Sequence, residues 1–186
     1  MAAVKSRNKI LAFDTANESI AIAIGEIVYG DINLLASSQV SAHRASNTKL
    51  LPETKQLFDK NQISVDDLCC VCAGRGPGSF TGVRIALATA KGIATGLGVG
   101  LVGINTLDAV AWRVWESGYR GHVYVVADAM RKEIYPALYK LDNTGANRLS
   151  ENSVLKASEK LNHKILLMYF FKIFLLFISF NRIAEP

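Results

Sequence analysis

Histidine and cysteine are too few and too poorly spaced in this sequence to build a metal centre. His43, His122 and His163 stand far apart. No other ligand type lies at metal-binding spacing beside them, so each reads as a surface or turn residue. Cys69, Cys70 and Cys72 all fall in one apolar run. An odd number with no second cluster excludes a disulfide framework, and one Cys-x-x-Cys without a matching pair is a poor zinc site. The three are expected to be reduced, buried and in effect small apolar side chains. Basic clusters are missing as well. The net charge is +5, and residues 164–186 contribute +2 of it through Lys164, Lys172 and Arg182 against Glu185. The +3 left for the rest lacks the clustered Lys and Arg of a dedicated nucleic-acid binder. There is no secretory pattern: the first nine residues are basic and polar, and only Ile10-Leu11-Ala12-Phe13 follows before Asp14. The expectation is a cytoplasmic protein.

What the sequence does hold is enough apolar material for a real core, with 50% hydrophobic residues in 186, and one distinctive run. Gly74-Arg75-Gly76-Pro77-Gly78-Ser79-Phe80-Thr81-Gly82-Val83-Arg84 follows the strand-like Leu68-Cys69-Cys70-Val71-Cys72-Ala73 and opens a long helix of small residues. Glycine reaches positive φ freely and proline fixes φ near −65°, so the run dictates a tight turn. It is not a P-loop, because Ser79-Phe80 stands where Lys-Ser/Thr is needed. It is not a nucleophile elbow either, because Pro77 stands two residues before Ser79. A dinucleotide fingerprint fails on spacing, and Gly96-Leu97-Gly98-Val99-Gly100 falls at a helix end, where glycine stops the helix. Two readings of the turn stay open: a structural corner, or an anion site built from N–H groups at the helix start.

Alternation and capping signals give the order of elements. Residues 9–15 and 19–25 read as a hairpin turning at Asn17-Glu18, and 31–40 as a third strand. Ser46 or Asn47 is expected to cap a helix with Leu50, Leu51, Leu57 and Phe58 on one side, ending near Asn61. Pro52 is tolerable there only near the first turn. Strand 69–73, a helix from the Ser79 cap to about Leu97, and strand 99–104 follow. A second half opens with helix 106–115, then strands 123–127 and 133–141 joined by a turn over 128–132, and it loses pattern after about Leu161. Strands mixed with crossover helices predict an α/β fold with a mixed sheet.

Together these residues resemble the TsaB (YeaZ) family. The resemblance is carried by Ile10-Leu11-Ala12-Phe13-Asp14-Thr15-Ala16, Leu50-Leu51-Pro52, the 74–84 run, Gly103-Ile104-Asn105-Thr106-Leu107, and the stretch from Val126 to Tyr135. It covers roughly residues 9–140 and implies the two-lobed actin-like/Hsp70-like ATPase (ASKHA) fold. The lobes would be residues 1–104 and a partial second lobe over 105–162, with an atypical apolar tail at 163–186. It further implies a non-catalytic partner of TsaD in making threonylcarbamoyladenosine beside the anticodon of tRNA. A TsaE-like ATPase would join a larger complex, tRNA would be engaged indirectly, and self-pairing stays open. ATP or ADP is expected only in complex with the partner.

TsaD-like paralogues carry Asn-His-x-x-x-His on a helix, two imidazoles on one face as a metal needs. In the equivalent stretch here Thr106 and Val110 replace both histidines, so no metal and no catalytic residue is expected. Asp14, at the end of the first strand, is where ATPases of this fold face Mg²⁺ and phosphate. Here the preferred role is to bond turn N–H groups, and the same holds for Asp128. Asp14, Thr15, Gly76, Gly78, Ser79 and Asp128 remain the candidate anion contacts. The partner surface is expected on the two helices, at Leu50, Leu51, Thr54, Leu57, Phe58, Val83, Leu87, Ala90, Lys91 and Ala94. The alternatives are an enzyme of the same superfold (a small phosphotransferase or a metallopeptidase) or a non-functional gene product.

The family pattern breaks at the end of the chain. Residues 165–180 hold five of the eight phenylalanines. Three readings compete: a core element of a shortened lobe, a membrane segment, or an out-of-frame product. The membrane reading is disfavoured because 16 residues with Lys172 inside fall short of the roughly 20 apolar residues a span requires. The reading adopted is an abbreviated end, with Ala184-Glu185-Pro186 matching a family tripeptide.

Overall fold

The computed structural model describes residues 7–42, 45–156 and 166–168. The first half is a five-stranded sheet in the order β3-β2-β1-β4-β5. Its strands are β1 (Lys9–Asp14), β2 (Ser19–Val28), β3 (Asp31–Ser41), β4 (Leu68–Gly74) and β5 (Gly100–Ile104). The first three form an antiparallel meander, while β4 and β5 run parallel to β1. The parallel strands need crossovers, which are helix α1 (Ser46–Lys60) and helix α2 (Phe80–Leu97). The second half comprises helix α3 (Thr106–Glu116) and a sheet in the order β10-β6-β7-β8, with β9 also paired to β7. These strands are β6 (Gly121–Met130), β7 (Glu133–Asp142), β8 (Gly145–Arg148), β9 (Leu155–Lys156) and β10 (Leu166–Met168). The fold is thus the α/β arrangement with a mixed sheet that the alternation predicts.

Period-two alternation explains how the first sheet is buried on both faces. Large residues Leu11, Phe13, Ile20, Ile22, Ile24 and Val71 point to one side, under α1 and α2. Small residues Ala12, Ala21, Ala23 and Cys72, with Ile10, point to the other, where Ala109 of α3 reaches them. Each large side chain, fully withdrawn from water, contributes about 1.5–3 kcal/mol. α3 joins the two halves, because Leu107, Val110 and Ala111 lie in a second core with Val123, Val125, Ala137 and Tyr139. The Tyr139 hydroxyl donates to Asp108 Oδ1 at 2.6 Å, which ties α3 to β7.

Several boundaries differ from the sequence reading, each for a local reason. α1 is not capped by Ser46 or Asn47. Ala45 holds the cap position, and its carbonyl accepts from the N–H groups of Thr48 and Lys49. Pro52 therefore stands beyond the first turn, exposed on the outer side. Leu51 points outward at 53% exposure, away from Leu50, Leu57 and Phe58. β6 continues to Met130, so the hairpin turn is only Arg131-Lys132, with φ of 55° and 65°. That two-residue geometry matches strand twist and normally recruits Asn or Gly. Of the cysteines only Cys72 is buried; Cys69 and Cys70 are half-buried. The pairing shifts from Lys9 opposite Leu68 to Ile10 opposite Cys70, which leaves Cys69 as an extra residue that bends the strand. The expected tail at 163–186 lies outside the described residues apart from 166–168, which run parallel to β6. His43 and His163 lie outside them too.

Candidate functional site

The distinctive glycine run is packed onto the β1–β2 turn. Asp14 ends β1, and its Oδ1 accepts the N–H of Ala16 at 2.5 Å. The Thr106 hydroxyl, from the start of α3, donates to Asp14 Oδ2 at 2.7 Å. Both oxygens are thus engaged, and the carboxyl is 4% exposed. Burial raises its pKa above the ordinary carboxylate value, and the two hydrogen bonds oppose that rise in part. Thr15 is buried as well, and its hydroxyl donates to the carbonyl of Gly82 at 2.6 Å.

The glycines explain how the backbones come this close. A Cβ on Gly74 would stand 2.1 Å from Asp14 Oδ2, one on Gly78 2.5 Å from the Ala16 carbonyl oxygen, and one on Gly82 1.8 Å from the Thr15 carbonyl oxygen. At a spacing of four residues, Gly74 lies against Asp14, Gly78 against Ala16 and Gly82 against Thr15, so each meets a different residue of the turn. The loop is anchored on its other side too: Arg75 N–H bonds the Ile104 carbonyl, and Thr106 N–H bonds the Gly76 carbonyl, both at 2.8 Å. Ser79 caps α2 by accepting from Gly82 N–H at 3.3 Å, while its own N–H goes to the Ala16 carbonyl.

Of the two open readings of this turn, the corner is the one that these contacts support. Asp14, Thr15, Gly78 and Ser79 are brought together: Asp14, Thr15 and Ser79 bond neighbouring groups, and Gly78 packs against Ala16. Gly76, at φ +77°, sits on the α3 side of the same loop. Asp128 stands apart, exposed on β6 in the other sheet. Among the described residues no group of three or more His, Cys, Asp or Glu is placed to hold a metal.

The helix surface differs in detail from the sequence expectation. Leu50, Leu57, Phe58, Ala90 and Ala94 are buried in the first core, and Thr54 is buried on α1 with its hydroxyl on the Leu50 carbonyl, so these six offer little area to a partner. The sheet needed those apolar stripes for itself. Leu51, Leu87 and Lys91 are exposed, and Val83 is half-buried. Beside them α2 presents Phe80, 69% exposed with the Arg84 guanidinium 3.8 Å above its ring. Ala88, Gly92 and Gly96 form an adjoining exposed row at four-residue spacing, and nothing lies within 4 Å of where a Cβ on either glycine would stand. The signal that marks this face is glycine inside a helix, where it costs about 1 kcal/mol against Ala and calls for another reason to be there.

A profile of the family described as TsaD, tRNA N6-adenosine threonylcarbamoyltransferase, matches residues 36–169. The tRNA threonylcarbamoyladenosine biosynthesis protein TsaB of Escherichia coli is 33% identical over 137 residues, covering 74% of this chain and 57% of the relative. The protein of the same name from Haemophilus influenzae is 31% identical over 129 residues, covering 68% of this chain and 51% of the relative. The match thus spans little more than half the length of these relatives. Among solved structures, YeaZ from Pseudomonas aeruginosa superposes with a TM-score of 0.71 at 25% identity, covering 84% of this chain and 71% of that one.

Proposed function

The chain belongs to the TsaB (YeaZ) family, with its actin-like fold, and from that premise we propose that it is a docking subunit without chemistry of its own. It pairs with a TsaD-like paralogue and supports the formation of threonylcarbamoyladenosine beside the anticodon of tRNA. The observation that carries this reading is the outer face of α1 and α2. Leu51, Phe80 and Leu87 are exposed there at 53%, 69% and 38%, beside a row of residues small enough for another helix to approach the backbone. A stable specific interface needs about 800 Å² from each partner, a scale that faces of 15 and 18 residues can supply.

The turn supports the non-catalytic part of the reading. Asp14 is committed to Ala16 and Thr106, and Thr106 stands where the resemblance puts a metal-binding histidine in TsaD-like paralogues. A buried hydroxyl that joins the two halves has taken the place of a ligand. In this reading the protein is cytoplasmic, a TsaE-like ATPase and tRNA are reached through the partner, and ATP or ADP is bound only in the complex. Self-association is the competing use of the same face.

The test is gel filtration with light scattering on the purified chain, alone and mixed with the TsaD-like paralogue from the same source. A new peak at the mass of a one-to-one complex is expected. Two unchanged peaks from folded proteins would remove the docking reading and return the enzyme reading to the front.

A further inference from the structure

Cys69, Cys70 and Cys72 all lie on β4, yet each meets different surroundings. Cys70 and Cys72 are two residues apart and so share a face of the strand. It is the face turned away from α1 and α2, where Cys72 packs with Ile10 and Ala12. The two sulfurs lie 4.0 Å apart in a thiol–thiol contact. Cys72 is 8% exposed, while Cys70 is half-buried. The approach to Cys70 runs over the edge strand. Gly100 of β5 pairs with Cys70, and a Cβ there would stand 3.7 Å from the Cys70 sulfur. Glycine supplies no side chain to cover it.

The three thiols differ in chemistry as well. Cys69 is the extra residue of the bulge, and its thiol donates to the Lys9 carbonyl at 3.3 Å. Burial, with Cys70 beside it, holds the Cys69 pKa above the ordinary thiol value. Cys70 is shifted the opposite way. The hydrogen bond with the Cys72 thiol favours the Cys70 thiolate and lowers its pKa, against the smaller opposing effect of burial. Cys72 is pushed up, first by that same hydrogen bond and then by burial. The pair thus keeps its proton on the buried sulfur and leaves the accessible one as the nucleophile. An accessible thiolate with a second thiol in reach is the arrangement of an oxidation-sensitive cysteine and its resolving partner. Level with the two cysteines on the paired strands stand Ile10, Ala12, Gly100 and Val102, all uncharged. Such walls suit a small neutral oxidant better than a charged one.

We infer that Cys70 is a site of oxidation by a small hydroperoxide and that Cys72 is its resolving thiol. The Cys70 sulfur attacks a peroxide oxygen and the O–O bond breaks. The leaving oxygen takes a proton from solvent, and Cys70 is left as a sulfenic acid. The Cys72 sulfur then attacks the Cys70 sulfur, the S–O bond breaks, and the Cys72 proton leaves with the oxygen as water. The two thiols give up two electrons in all, and the peroxide accepts them. Two residues along a strand span about 6.6 Å, at the far end of the Cα separation that a disulfide bridges. The product is therefore strained and easily reduced by thiols. The site lies on the opposite sheet face from α1 and α2 and stands or falls independently of partner docking.

The experiment is treatment of the reduced full chain with hydrogen peroxide, then alkylation of the remaining thiols and peptide mass spectrometry, on the wild type, Cys70→Ala and Cys72→Ala. The wild type should lose the Cys70 and Cys72 thiols together, keep Cys69 open to alkylation, and recover all three with dithiothreitol. Cys70→Ala should slow thiol loss by about tenfold or more, the difference between a thiolate and protonated thiols. Cys72→Ala should stop at the sulfenic acid, captured on Cys70 by dimedone. Alanine keeps both positions small and apolar, thermal unfolding shows whether each variant is folded, and the wild-type pattern needs no substitution. Oxidation of Cys69 ahead of Cys70 in the wild type, an unchanged rate in folded Cys70→Ala, or no dimedone adduct on folded Cys72→Ala would each overturn the proposal.

Discussion

Along α2, the glycine in the first turn and the two near the far end meet opposite surroundings. At Gly82 a Cβ would stand 1.8 Å from the Thr15 carbonyl oxygen; at Gly92 and Gly96 it would meet nothing within 4 Å. The first lets the helix approach the strand that it covers. The others leave the helix backbone bare on the side away from its own sheet. The turn motif is thus distinctive because three backbones meet inside this chain, whereas the outer row meets nothing within it, and the proposed partner is what would cover it.

That contrast breaks most sharply at Gly82. Gly82→Ala sets a methyl against backbone that cannot move aside, and a loss of about 3 kcal/mol or more is expected in urea unfolding. A loss under 1 kcal/mol would show that α2 and the β1–β2 turn part easily. Asp14→Ala comes next. It leaves the Ala16 N–H and the Thr106 hydroxyl without their acceptor in a buried place, at a cost of about 2–3 kcal/mol.

Asp14→Asn sharpens the same point through pH. The native carboxyl is held above its ordinary value by burial. The folded state therefore binds the proton more tightly than the unfolded one, and this group's contribution to stability is full below pH 4 and is lost as pH rises through the native value. The wild type should lose stability relative to Asp14→Asn over the range that starts near pH 4 and rises from there. Parallel stability profiles would show that Asp14 is not desolvated as the structure has it.

Gly92→Ala should act in the other direction. With open space around it and helical backbone on both sides, alanine is expected to stabilise the isolated chain by about 0.5–1 kcal/mol. A destabilisation of that size would mean that this face is already covered within the chain. The smallest effect is at Arg131-Lys132, where positive φ at both residues asks for glycine that the sequence does not provide. Lys132→Gly should stabilise by about 0.5 kcal/mol, the relief of a left-handed residue less the entropy of glycine.

The same contrast explains what could be read from sequence. Strands β1, β2, β4 and β6 were legible because their alternation sorts large from small, as in Ile20-Ala21-Ile22-Ala23-Ile24. The cap of α2 was legible because Ser79 bonds locally to Gly82. Strands β8 and β9, of four and two residues, carry too little pattern to register. The helix faces were ambiguous for a deeper reason. Apolar residues such as Leu57 and Leu51 look alike in sequence, and only the position of the sheet decides that the first is 7% exposed and the second 53%. The role of the glycine turn was hidden because its partner, Asp14-Thr15-Ala16, lies some 60 residues away.

The central claim is that the bare row on α2 exists to receive another protein. It is tested most directly with Gly92→Leu, by measuring its thermal unfolding and its affinity for the TsaD-like paralogue side by side with the wild type. The account predicts a chain that unfolds at the same temperature or higher and a complex weakened by about a hundredfold or more, as expected when bulk enters a close helix contact. A stable variant that binds the paralogue as tightly as the wild type would contradict it.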